Sequence, residues 1–174
     1  MLINFVLFQV GWFACVLGAA KGWYWLGPVT ALLVLPVYYY QVHKLSKAVA
    51  LTVAVALAGG LSDGVLAACG VLVFESGGWF AGPLPVWMLA LWGMFATTLD
   101  RSMRWLQRRL LLAGVLGAVL GPVAYAGAER LGAVQLGENA YGWLALEWGV
   151  LMIGCSWLAL RWTDQMDPVL EQNS

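Results

Sequence analysis

The stretch "LTVAVALAGGLSDGVLAACGVLVF" (Leu51–Phe74) contains a single charged side chain, Asp63. About 20 apolar residues in a helix, rising 1.5 Å each, cross the ~30 Å hydrocarbon core of a bilayer. A helix on a soluble domain would carry polar residues along one face at a 3.6-residue period, and this run has only Thr52, Ser62 and Asp63. Such a run is a helix dissolved in lipid.

The rest of the chain agrees. Of 174 residues, 62% are hydrophobic and only 10% charged, where a soluble domain has about 25% charged. Nine basic and nine acidic residues cancel, so no excess positive charge marks a nucleic-acid surface. The apolar runs predict an all-α polytopic membrane protein of six transmembrane helices. They fall at roughly 2–20, 23–41, 48–74, 83–100, 110–128 and 140–160. The breaks are "KGW" at Lys21, "HKLSK" at His43, "ESGG" at Glu75, "RSMRWLQRR" at Arg101 and "ERLGAVQLGEN" at Glu129. Only "AKG" separates the first two runs, so a re-entrant hairpin there is the alternative. Residues 1–160 form one domain, and residues 161–174 a polar cytoplasmic tail. The first run lacks a positive leading segment, so it reads as a retained span rather than a signal peptide.

Basic residues set the orientation, because cytoplasmic loops are enriched in them. Lys44, Lys47, Arg101, Arg104, Arg108, Arg109 and Arg161 share one side, against Lys21 and Arg130 on the other. Both termini are therefore expected in the cytoplasm. Trp23, Trp25, Tyr38 to Tyr40, Trp79, Trp105 and Trp162 fall at the expected interfaces, while Trp12, Trp92 and Trp148 lie deeper as packing residues. Cys15, Cys69 and Cys155 fall within the spans at no metal or redox spacing and act as small apolar residues. No HExxH, CxxC, GxSxG or phosphate loop is present, so no cofactor or metal is called for.

Asp63 stands apart. Gly59, Gly60, Ala67 and Gly70 share its helical face, and such small residues let helices approach closely. An ionisable group mid-span costs about 2.5–3.5 kcal/mol on the mildest scale, so Asp63 is expected to face a protein partner or cavity. Glu147, in "WLALEWGVLMIG", is the other deep acid, at a comparable depth in the outer half. Together they form the candidate catalytic pair, one acid and one base, with Tyr125, Tyr141, Gln9 and Arg130 as candidate binding residues around a polar cavity opening outward. The plainer reading makes both acids hydrogen-bonded fasteners between helices. Asn4 and Gln9 are interhelical hydrogen-bonders, Gly117-x-x-x-Gly121 a helix-packing device, and Asp100 a cytoplasmic cap paired with Arg104 one turn on.

"NFVLFQVGWFACVLGA", "LSDGVLAACGVLVF", "PVWMLALWGMFATTL" and "GPVAYAGAERLGA" occur in this order. The chain thereby resembles a family of small bacterial inner-membrane proteins known only as a domain of unknown function. Genes of that family often neighbour cyclopropane-fatty-acid-synthase-like and flavin-dependent oxidoreductase genes. The resemblance implies a multi-pass protein of the bacterial inner membrane and a link to membrane-lipid, or fatty-acid, modification. The function expected is an accessory or enzyme component of that metabolism. A proton-coupled small transporter using the two acids, or a non-catalytic scaffold, is the competing class. Membrane lipids are the expected partners, with a membrane-protein partner or a second copy as further options and nucleic acid excluded.

Overall fold

The computed structural model describes residues 2–74 and 84–166. The "ESGG" loop, Trp79, Pro83 and residues 167–174 lie outside the described residues. Six helices follow in order: α1 (Leu2–Ala20), α2 (Leu26–Tyr40), α3 (Leu45–Ala68), α4 (Val86–Asp100), α5 (Leu110–Arg130) and α6 (Ala140–Met166). A two-residue strand β1 (Leu72–Val73) pairs antiparallel with β2 (Gln135–Leu136), tying the turn after α3 to the α5–α6 connection.

The six helices alternate in direction. At one end, Asn4 of α1 donates to Thr97 of α4 at 2.9 Å and accepts from Ser102 at 3.0 Å, while Arg101 donates to the Gln41 carbonyl at 3.0 Å. The Lys47 ammonium of α3 also sits 5.8 Å from the Trp162 ring of α6 at this end. The strand pair marks the opposite end. Asn4 is thus the interhelical hydrogen-bonder expected of it.

Three of the helices that finish at the strand-bearing end close in the same way. Gly22, Gly70 and Gly132 take φ of +73°, +74° and +86°. The amides that follow them, of Trp23, Val71 and Ala133, bond back to the carbonyls of Gly18, Leu66 and Ala128 at 2.7, 2.9 and 3.0 Å. This left-handed cap satisfies carbonyls that a helix end leaves orphaned, and glycine adopts it without steric cost. The cap corrects the expected third span, 48–74, which stops at Ala68. Cys69 is therefore an exposed helix-end residue, whereas Cys15 and Cys155 are buried as expected.

Six crossings were expected, with a re-entrant hairpin as the alternative for the first two, and among the described residues four helices are long and apolar enough to cross a membrane: Leu2–Ala20, Leu45–Ala68, Leu110–Arg130 and Ala140–Trp162. The other two, α2 and α4, have 15 residues each, about 22 Å of helix. In α4 the reason is its place. It contacts α1, α2, α3 and α6, and eleven of its 15 residues are buried. A helix surrounded by protein can end short of the bilayer surface, because its terminal polar groups meet other side chains rather than hydrocarbon. Pro85 caps its start in extended conformation. At its other end Asp100, 1% exposed, accepts from the Tyr38 hydroxyl at 3.0 Å and lies 3.4 Å from the Arg101 guanidinium. The expected pairing with Arg104 fails because the helix ends at Asp100, so residue 104 is not one turn further along it.

Outward faces of the helices are apolar, with Leu32, Leu61, Leu111 and Val150 all more than 60% exposed. Hydrocarbon is the solvent such faces fit. Inside, glycine governs the close approaches. A Cβ on Gly117 or Gly121 would stand 2.4 Å from the Trp148 carbonyl or 2.2 Å from the Trp148 side chain. The Gly117-x-x-x-Gly121 motif is thus the α5–α6 packing surface. On α3, Gly59 does the same against the Trp92 ring.

Candidate functional site

The small-residue stripe on α3 brings that helix against α4, which places Asp63 in the interior at 0% exposure. Its two oxygens are shared between two donors. The Trp92 indole N–H, from α4, donates to Oδ2 at 2.6 Å, and the Tyr125 hydroxyl, from α5, donates to Oδ1. Trp148 of α6 stacks on Trp92, with centroids 4.7 Å apart and planes at 25°, and meets Tyr125 edge-on at 6.4 Å. Four helices thus converge on one carboxylate. Along their axes Asp63, Trp92, Tyr125 and Glu147 each lie about 8–10 Å from the strand-bearing ends of their helices, taking 1.5 Å per residue.

Glu147 belongs to the same cluster. It is 8% exposed, and Ser62 and Asp63 are the polar groups that act on it. Both of its carboxylate oxygens are buried without a hydrogen bond of good geometry among the described residues. A buried polar group without a partner is rare, and in native proteins it marks a proton, a water or a functional role. The two acids therefore lie close enough to act on one another. One is fully satisfied and the other is not.

Of the four candidate binding residues, Tyr125 and Gln9 line one groove, and Tyr141 and Arg130 do not. Tyr141 is 54% exposed and Arg130 is exposed at the end of α5. Beside the acids lies an apolar feature. A groove of about 540 Å³ runs along the flank between α1 and α5, floored by α4 and Trp148. Its lining is apolar apart from Gln9, Tyr125 and the indole edges, and Asp63 and Glu147 do not reach it. Tyr125 joins the two features, since its ring lines the groove and its hydroxyl is held by Asp63. Trp92, read from the sequence as packing alone, was the missed member. The depth arithmetic that paired Glu147 with Asp63 places Trp92 in the same layer.

In chemical terms, Asp63 is a hydrogen-bond acceptor for Tyr125, and Tyr125 also lines the groove. No group of three or more metal-binding side chains occurs among the described residues.

An apolar bundle with four membrane-length helices and a buried acidic cluster defines a membrane protein. Over residues 1–162 the chain matches the family described as "Protein of unknown function (DUF2878)", and it belongs to that family. No curated protein and no solved structure matches it.

Proposed function

We propose that this is a multi-pass protein of the bacterial inner membrane that takes a membrane-soluble molecule into the groove between α1 and α5, as an accessory or enzyme component of membrane-lipid metabolism. One observation carries the reading: the groove wall presents Tyr125, whose hydroxyl is tied to the fully buried Asp63. In this reading Asp63 takes or returns the Tyr125 proton, and Tyr125 meets the bound molecule.

The test is genetic and chemical together. Cells lacking the protein should show a changed lipid extract, fatty-acid profile included. Tyr125→Phe, accumulating to normal abundance, should fail to restore it. An extract unchanged by the deletion would remove the lipid reading.

A second reading, a proton-coupled carrier, is supported by Glu147, whose two oxygens are buried without a hydrogen bond of good geometry among the described residues. It predicts substrate-driven proton uptake in vesicles, abolished by Glu147→Gln.

Six crossings with cytoplasmic termini complete the proposal. Seven basic residues lie at the Asn4 end and two at the strand end, the asymmetry that orients small membrane proteins. Reporter fusions at Lys47 and Arg108 should report cytoplasm, and a fusion at Gly137 the outer side. Neutralising Arg101, Arg104, Arg108 and Arg109 together should give mixed or inverted topology, each contributing about 1 kcal/mol near an anionic leaflet.

A further inference from the structure

The groove has a composition that a plain acyl-chain channel does not need. Eight of its 22 lining residues are aromatic, against 13% of the whole chain. They include Trp12, Trp92, Phe95 and Trp148, and Phe95 meets Trp92 and Trp148 edge-on at 5.5 Å each. Aromatic walls favour flat, polarisable partners through stacked and edge-to-face contacts, whereas a saturated chain gains as much from leucine.

The second observation is polar. Gln9 lines the groove about 16 Å from the strand-bearing end of α1, near the bilayer midplane. Its amide makes no hydrogen bond among the described residues. A bare amide in hydrocarbon costs several kcal/mol unless something bonds to it. Trp12, three residues on, shares that helical face and also lines the groove. Its indole N–H is likewise without a partner among the described residues. Two donors on α1 and the Tyr125 phenol on α5 thus address one apolar slot.

Size narrows the occupant further. The slot spans residues 5–16 of α1, about 17 Å of helix. Its volume is about 540 Å³. That volume is in the usual range for a single small ligand.

We infer that the groove is a binding site for a planar, lipid-soluble carbonyl compound of the alkylated quinone class, its ring between the aromatic walls and its carbonyl oxygens on Gln9 and Trp12. This rests on the reading of the groove as a ligand site and names its ligand class. The alkyl tail leaves through the open flank, where Leu120 and Val123 are 55% and 61% exposed.

The experiment uses the full chain in lipid nanodiscs, with 2,3-dimethoxy-5-methyl-6-decyl-1,4-benzoquinone and oleic acid as probes and tryptophan quenching as the readout. Quinone quenching should be saturable and resist displacement by oleic acid. Gln9→Leu, which makes α1 more apolar and leaves its packing intact, should weaken it about tenfold, the value of one hydrogen bond. Leu120→Trp, at the exposed mouth, should block it without touching Asp63 or Tyr125. Oleic acid that displaces the quinone, or affinity unchanged in Gln9→Leu, would overturn the quinone class and keep the groove as an acyl site. Binding of neither probe in saturable fashion would overturn both.

Discussion

Asp63→Leu should unfold the centre of the bundle, while Asp63→Asn should leave it standing and silent. Leucine removes the acceptor for both the Trp92 N–H and the Tyr125 hydroxyl, leaving two buried donors unsatisfied at about 1–3 kcal/mol each. A loss of about 2–6 kcal/mol is expected, read as lower abundance and a lower unfolding temperature in detergent. Asparagine can keep its oxygen on Trp92 and turn its amide to Tyr125, whose oxygen then accepts. The freed hydroxyl proton can point at the Met88 sulfur, already 4.0 Å away. Stability should fall by no more than about 1 kcal/mol, yet the site loses its proton acceptor. Whatever activity the protein has should be lost in Asp63→Asn. Glu147→Gln is the parallel arm. If the two acids work as one unit, the double variant should be no worse than the stronger single. Full activity in the double variant would leave both acids as helix fasteners.

The outlines of this arrangement were legible in the residues, and the gaps have physical causes. Asp63 faces inward because a carboxylate among glycines cannot face lipid, which is a statement about solvent and needs no coordinates. Glu147 and Tyr125 followed from depth. Tyr141 and Arg130 were misplaced because depth was used without rotation. At 100° per residue, Tyr141 points about 120° away from Glu147, and Arg130 about 140° away from Tyr125. The end of α3 was misread because "VLVF" continues the apolar run, and hydropathy has no term for backbone handedness. Gly70 was the stop signal, with the same glycine cap that ends α1 and α5. The short central helix α4 was hidden for a different reason. Its sequence is as apolar as a lipid-facing span, and whether lipid or protein surrounds it depends on the other helices. The aromatic groove could not be seen for the same reason, being a gap between α1 and α5 that neither helix encodes alone.

Gly59→Ala should be as damaging as a substitution by a single methyl group can be. A Cβ there would lie 2.1–2.5 Å from three atoms of the Trp92 ring, and real Cβ atoms do not approach so closely. Trp92 cannot yield easily, being 2% exposed, stacked on Trp148 and bonded to Asp63. Either α3 moves away from α4 or the indole moves and its N–H leaves the carboxylate. Overpacking of this kind costs about 1–3 kcal/mol, and leaving the buried indole donor unsatisfied adds about 1–3 kcal/mol. Gly142→Ala, on α6 with nothing within 4 Å of its Cβ, is the control and should be neutral or slightly stabilising through helix propensity. Thermal unfolding followed by tryptophan fluorescence reads both effects, since the Trp92–Trp148 stack reports the displaced ring directly. A Gly59→Ala protein as stable as Gly142→Ala would mean that α3 and α4 are not in contact at Asp63, and the acid would then need another partner. The expected result is a large loss at residue 59 alone, because there a single hydrogen atom separates the packing of two helices from the hydrogen bond that holds the acid.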